Sequence, residues 1–206
     1  EVFAEIEAVD ETGTELSNNI YLFQGLPKSD KMELVIQKAV ELGVTDIVPV
    51  ISARCISRPD EKSMAKKIQR WQKIALQAAQ QSRRGIIPQV KQMQTFNQAV
   101  GGIDESQCNI IFYECGGDSI GSVIDKGNKQ INMFVGSEGG FEQQEVQKVI
   151  DKNGYAFCLV TRQGDLRQLG KDMTKALNGR GGGKPASQQG RVQAKKADIE
   201  AYFAKK

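Results

Sequence analysis

The apolar positions change period along the chain, and the changes divide it into three stretches. Over the first stretch Val2, Ala4, Ile6 and Ala8 fall on one side of an extended segment and Glu1, Phe3, Glu5 and Glu7 on the other, with residues 10–14 reading as a turn. A lone strand or hairpin is not stable by itself, so residues 1–16 read as the last piece of a β-rich unit or as an edge strand. From Asn19 the pattern becomes short apolar runs alternating with helical stripes. Ile20–Phe23 predicts a buried strand. Met32, Val35, Ile36, Ala39 and Val40 predict a helix, with Ser29 or Asp30 as N-cap and Gly43 as C-cap. Thr45–Ile51 predicts the next strand, in which Pro49 favours a strand end or an edge. Asp60–Ser82 predicts the longest helix, whose stripe of Met64, Ile68, Trp71, Ala75 and Ala78 is a core-packing face. Strands are predicted at 109–114, 131–135 and 156–160, with a helix from Glu142 to about Lys152. Five strands alternating with helices predict an α/β fold: an open, mostly parallel sheet with helices on both faces.

One junction stands out. The strand Ile131–Val135 runs into Gly136-Ser137-Glu138-Gly139-Gly140-Phe141, and helical spacing resumes at once. At such a strand–loop–helix junction a bare Cα permits close backbone approach, and the following helix offers unpaired N–H groups. The residues alone leave two alternatives open, a small-molecule site or a plain turn.

Beyond Arg162 the sheet pattern stops. Leu166, Leu169, Met173, Ala176 and Leu177 predict one short amphipathic helix, Asn178–Pro185 breaks it, and Ala197–Phe203 closes the chain as a last helical turn or two. This α-rich piece is too short for an independent core, so it has to dock on something or stay mobile.

Composition narrows the chemistry. The chain of 206 residues contains no histidine, which removes imidazole bases, Ser-His-Asp triads and His-ligated zinc. Cys55, Cys108, Cys115 and Cys158 are scattered, without metal-ligand spacing, and read as small core residues of a reducing compartment. No metal is expected. No apolar run is long enough to span a membrane, the start carries no basic leader, and the chain reads as cytoplasmic with its left end cut. Charge is uneven: residues 1–161 hold 17 Lys and Arg against 21 Asp and Glu, whereas residues 162–206 hold 11 against 4. A second basic cluster runs from Arg54 to Arg84. Two basic regions point to a polyanion, most simply nucleic acid, or in the plainer case to a solvated helix face.

Taken together, Gly25-Leu26-Pro27-Lys28-Ser29-Asp30-Lys31-Met32-Glu33, Gln37–Val44, Ala75–Arg84 and Gly136-Ser137-Glu138-Gly139-Gly140-Phe141 resemble, in order, motifs of the small-subunit ribosomal RNA uridine N3-methyltransferases of the SPOUT superfamily. The resemblance covers residues 1 to about 161. It implies a trefoil-knot domain at 19–161, a remnant of a PUA-like RNA-binding barrel at 1–18, a homodimer, S-adenosylmethionine as methyl donor and a uridine of ribosomal RNA as acceptor. It implies cofactor contacts at Gly136, Ser137, Glu138, Gly139 and Gly140, and RNA phosphate contacts at Lys28, Lys31, Arg83 and Arg84. Glu138 is the one candidate catalytic group, with orientation of its own loop as the plainer role.

Ser137 stands where the family has proline, and Gln80 where it has glutamate. After Val160 the family's final knot motif is missing. Instead, residues 165–173, 177–185 and 189–194 resemble the end of the DHH-associated domain of alanyl-tRNA synthetases and alanyl-tRNA editing proteins. That resemblance makes 162–206 a separate basic tail, with Arg180 and Lys184 as RNA contacts and transfer RNA as a further partner. Two functions follow: a ribosomal RNA methyltransferase, or a noncatalytic RNA-binding remnant or fusion protein.

Overall fold

The computed structural model describes residues 5, 13, 15–104, 107–115, 120–124, 127–153, 155–160, 164–192, 194 and 196–204. The alternating segment expected as a barrel remnant lies almost wholly outside the described residues.

Six strands form one parallel sheet. At its centre β1 (Asn19–Gly25) pairs with β2 (Asp46–Ile51) on one side and β6 (Gln130–Val135) on the other. The short β3 (Gln89–Val90) and β4 (Gln94–Thr95) pair with the outer side of β2, and β5 (Cys108–Ile111) with the outer side of β6. The chain therefore winds outward from β1, crosses to the far edge at β5 and returns to β6 beside its starting point.

Side-chain alternation sends the strands' apolar residues to two cores. Leu22 and Ile47 meet α1 (Lys31–Glu41) and α2 (Glu61–Gln81) on one face. Phe23, Val48, Val50 and Phe134 meet α3 (Phe96–Gly102) and α5 (Gln143–Asn153) on the other. With both faces covered, the strands carry nearly continuous apolar runs, as parallel strands do. The short α4 (Ile120–Val123) supplies Val123 to a small cluster with Cys108, Ile110 and Ile131.

Helix ends follow local chemistry. Asp60 caps α2 by accepting the Ser63 N–H at 2.7 Å. Gly43, at φ +97°, closes α1: its N–H donates to the Val40 carbonyl, and that of Val44 to Ala39, which is the Schellman arrangement. The same pattern ends α2, where Arg83 and Arg84 donate to Gln80 and Ala79. There the left-handed position is filled by Arg83 at φ +56°.

Three expectations need correction. Pro49 sits in an internal strand, but in an edge-like place. The Ile47 carbonyl points to β3 and the Val50 carbonyl to β1, so the missing N–H of Pro49 falls on the outer side. There β3 has ended at Ile47 and β4 has not begun before Val50. Secondly, β7 (Tyr155–Val160), expected as the last strand of the parallel sheet, pairs antiparallel with β9 (Ser187–Val192) in a separate three-stranded sheet. An apolar run of six residues reads alike for either sheet. Thirdly, the glycine-rich stretch expected as a break is strand β8 (Gly179–Lys184), which completes that sheet beside β9. The bare Cα of Gly183 makes this possible, since a Cβ there would lie 2.2 Å from the Ser187 carbonyl oxygen. With α6 (Arg167–Ala176) and α7 (Lys196–Ala204), the tail is mixed α/β and holds a small core of Met173, Leu177 and Val192. Of the cysteines, Cys55 and Cys108 are buried as expected and Cys115 is exposed; the Cys158 side chain lies outside what is described.

Candidate functional site

Parallel strands place their carboxyl ends on one edge, and the segments leaving β1, β2, β5 and β6 meet there. Winding reverses between β1 and β6, which makes that edge the crevice where open α/β sheets take ligands. The loop Gly136–Gly140 occupies this point.

The loop is a short arch with both feet in one aromatic cluster. Phe134 before it and Phe141 after it are almost fully buried. Phe134 stacks on Phe23 with ring centroids 4.5 Å apart, and Phe96 lies 5.9 Å from Phe134 and 5.5 Å from Phe141. Across the arch the Gly140 N–H donates to the Ser137 carbonyl at 2.9 Å, and Gly140 takes φ +65°.

Each bare Cα of the site faces protein. A Cβ on Gly25 would lie 2.7 Å from the Ser137 nitrogen, and one on Gly136 would lie 2.8 Å from the Gly140 Cα. On Gly139 it would meet Arg54 Cβ at 3.0 Å, and on Gly140 the Glu114 carboxylate at 2.7 Å. Backbone conformation and loop-on-loop packing already require these glycines.

Glu138 ties the arch to the loop after β1. Both carboxylate oxygens accept the Lys28 N–H at 3.2 Å, and one accepts the Lys31 ammonium at 3.0 Å. The Lys31 bond, the Glu138 and Lys28 backbone N–H groups and the Lys31 charge together hold the carboxyl at a pKa of about 2. A carboxylate held so far down is a weak proton acceptor at neutral pH. Gln24, buried at the end of β1, donates to the Gly136 carbonyl at 3.1 Å. From the β2 side Arg54 donates to the Gly139 carbonyl at 3.2 Å and approaches Glu114 at 3.8 Å. The buried Glu145 accepts the N–H groups of Ala53 at 2.9 Å and Glu142 at 3.0 Å, fixing the exit of β2 to the start of α5. Among the described residues, one buried side-chain polar atom at this edge has no hydrogen-bond partner: Ser137 Oγ.

The fold thus assembles Gly136, Ser137, Glu138, Gly139, Gly140, Lys28 and Lys31. It does not bring Arg83 and Arg84 to them. These two follow α2 beside the C-terminal end of α1, a helix about 16 Å long whose first residue is Lys31. The Arg84 side chain is only 7% exposed and is paired with Glu15. Its Nη1 donates to the Val40 carbonyl at 3.1 Å and to that of Val44 at 2.6 Å. The expectation of an Arg84 phosphate contact is therefore corrected: this guanidinium closes a helix end. Arg83 is exposed at the same edge. Lys184 is exposed on β8, and Arg180 lies in the same strand with its side chain outside what is described. Sequence reasoning missed Gln24, Arg54, Glu114 and Glu145 as parts of the site. The usable signal was topological, since parallel neighbours of β1 and β6 have to deliver their exit loops to the same edge. Among the described residues no group of His, Cys, Asp and Glu is placed to hold a metal, and no helix is long and apolar enough to cross a membrane.

Residues 14–163 match the family model described as an RNA methyltransferase domain. The chain is 34% identical over 148 residues to ribosomal RNA small subunit methyltransferase E of Bacillus subtilis, covering 68% of this chain and 57% of that protein. The structure matches the Neisseria gonorrhoeae ribosomal RNA small subunit methyltransferase E bound to S-adenosyl methionine. The TM-score is 0.64 at 35% identity, over 69% of this chain and 59% of that one. It also matches a Legionella pneumophila protein in complex with bound SAM, with a TM-score of 0.64 at 30% identity, over 69% and 58% of the two chains. The chain thus spans somewhat under three-fifths of the length of each of these relatives.

Proposed function

Since the chain belongs to the RNA methyltransferase domain family, we propose that it is the methyltransferase domain of an enzyme that methylates N3 of a uridine in small-subunit ribosomal RNA, using S-adenosylmethionine. The single observation that carries the assignment to this edge is the arch of Gly136–Gly140 at the β1/β6 reversal, with the Ser137 hydroxyl left without a hydrogen-bond partner among the described residues. A buried hydroxyl in that state is a group that a bound ligand's polar atoms satisfy.

When bound, the cofactor supplies a methyl group made electrophilic by its sulfonium sulfur. The chain's own contribution is positional. Phe134 and Phe141 fix the feet of the arch, Gln24 and Arg54 hold its carbonyls, and Glu138 locks it to Lys28 and Lys31. Glu138 is a latch in this scheme, since its low pKa suits it poorly to removing the imide proton of uridine. Lys31 spends one donor on Glu138 and stays 64% exposed, so its remaining donors are free to meet an RNA phosphate. Lys28 is exposed on the same loop.

A second reading is favoured by one observation. The segment after α5 leaves as β7, which pairs with the tail and not with the parallel sheet, on the side where the family's final knot motif would follow. In that reading the chain is a noncatalytic RNA-binding remnant, with the hairpin of Arg180 and Lys184 as a tail contact for ribosomal or transfer RNA. The knot and the homodimer belong to the first reading only. Calorimetry with S-adenosylmethionine, followed by methyl transfer to small-subunit RNA, tests the two. Cofactor binding with N3-methyluridine formation supports the enzyme; salt-sensitive RNA binding without cofactor binding supports the remnant and sinks the enzyme.

A further inference from the structure

We propose that the exposed face of α2 is a phosphate track on which one RNA backbone docks as it approaches the carboxyl edge of the sheet. The choice of RNA as the polyanion rests on the reading above.

The track is a stripe. Lys62, Lys66, Arg70 and Lys73 recur three or four residues apart, so they share one face of the helix, and Lys67 flanks them. Successive members advance about 5–6 Å along the axis. All five are exposed, while Met64, Ile68, Trp71 and Ala75 bury the opposite face. Arg70 is the only one with an acidic partner, Glu33, at 2.9 Å; Lys62, Lys66, Lys67 and Lys73 form no ion pair among the described residues. From Lys62 to Gln81 the helix has no carboxylate at all, and its remaining long polar residues are five glutamines. The neutral face therefore extends the positive one without opposing it.

Charge placement argues that the stripe is there for a partner. A solvated helix gains from acids and bases interleaved four apart, whereas Lys62 and Lys66, and Lys66 and Arg70, are like charges at that spacing. Lys62 also lies in the first turn, where the helix dipole disfavours cations. Both choices work against the helix, and such local conflicts mark functional surfaces. The stripe also begins at the right place. α2 starts at the end of the segment leaving β2, the segment whose Arg54 touches Gly139 of the arch.

The test measures RNA affinity of the full chain against salt, by anisotropy of a labelled single-stranded RNA. The variants are K62Q/K66Q/K73Q and, as a control removing equal charge elsewhere, K38Q/K129Q/K148Q. Each lost phosphate contact lowers the slope of log affinity against log salt by about 0.7 to 0.9, so the stripe variant is expected to lose about 2 to 3 and the control to keep its slope. An unchanged slope in the stripe variant, or equal losses in both variants, overturns the track. Circular dichroism shows that α2 is intact, and removal of the cations is expected to leave its melting unchanged or higher. Calorimetry with S-adenosylmethionine on the same samples separates the two ideas. RNA binding that follows the stripe without cofactor binding keeps the track and removes the enzyme; cofactor binding with an indifferent slope does the reverse.

Discussion

Two glutamate–cation pairs sit at opposite edges of the same sheet and do different work. At the amino-terminal edge Glu15 meets Arg84, whose side chain is 7% exposed; at the carboxyl edge Glu138 meets Lys31, which is 64% exposed. The buried guanidinium also donates to the Val40 and Val44 carbonyls, so its loss takes the charged partner from Glu15 and the side-chain donor from both carbonyls, while Val40 keeps the Gly43 N–H and Glu15 that of Ile86. The exposed ammonium sits in high dielectric, where an isolated pair contributes little to stability. What the second pair does is fix one loop against another. The same chemistry thus serves the fold where it is buried and the site where it is wet.

The largest expected effect breaks the first pair. Arg84→Ala should cost about 3 kcal/mol of global stability, because it removes a largely buried guanidinium that pairs with Glu15 and bridges the Val40 and Val44 carbonyls, and urea denaturation measures it. A loss no larger than that of a surface pair would erase the distinction. Glu15 also gives the effect a pH signature. Its pKa is lowered first by the Arg84 hydrogen bond. The stabilisation is thus fully present above the ordinary glutamate value of 4.5 and lost as pH falls through the lowered one. In Arg84→Ala that part of the acid limb should flatten.

Next comes the packing of the arch. Gly25→Ala drives a Cβ to 2.7 Å from the Ser137 backbone nitrogen, which neither a rotamer change nor a side-chain shift relieves. A cost of about 2 kcal/mol is expected, together with loss of any cofactor binding. Gly85→Ala is the control, since nothing lies within 4 Å of the added carbon. A smaller effect of opposite sign is expected from Arg83→Gly. A non-glycine residue at φ +56° closes α2, and glycine there should gain about 1 kcal/mol.

How much of this was legible in the sequence depends on whether the cause was local. The ends of α2 were, because Asp60 and the Arg83-Arg84 stop act within one turn. So was the two-faced burial, which Leu22 and Phe23 or Ile47 and Val48 state side by side. The arch was visible as glycines, but the reason for them was not. Spacing suggests room for a ligand, whereas Gly139 is bare because of Arg54, 85 residues earlier. Arg84 misled for the same reason: a cation in a basic run reads as surface until Glu15 and two carbonyls, 40 residues and more away, enclose it. The sheet chosen by β7 was decided by its partner β9, which no property of residues 155–160 announces.

The smallest effect on stability is the sharpest test of the second pair. Glu138→Gln keeps an oxygen to accept the Lys28 N–H but removes the charge that holds Lys31, so the urea midpoint should not move. Cofactor affinity should fall, because the arch is no longer locked to the β1 exit loop. Lys31→Gln should reproduce that loss, since it removes the other half of the latch. In the unaltered chain the carboxyl carbon of Glu138, followed by NMR, should titrate near 2. The latch is then complete above the ordinary value of 4.5 and opens only as pH falls towards 2, so binding that depends on it is flat with pH on the neutral side. A midpoint near neutrality would make Glu138 a proton acceptor, and the carboxyl-edge pair would then be reaction chemistry and not architecture.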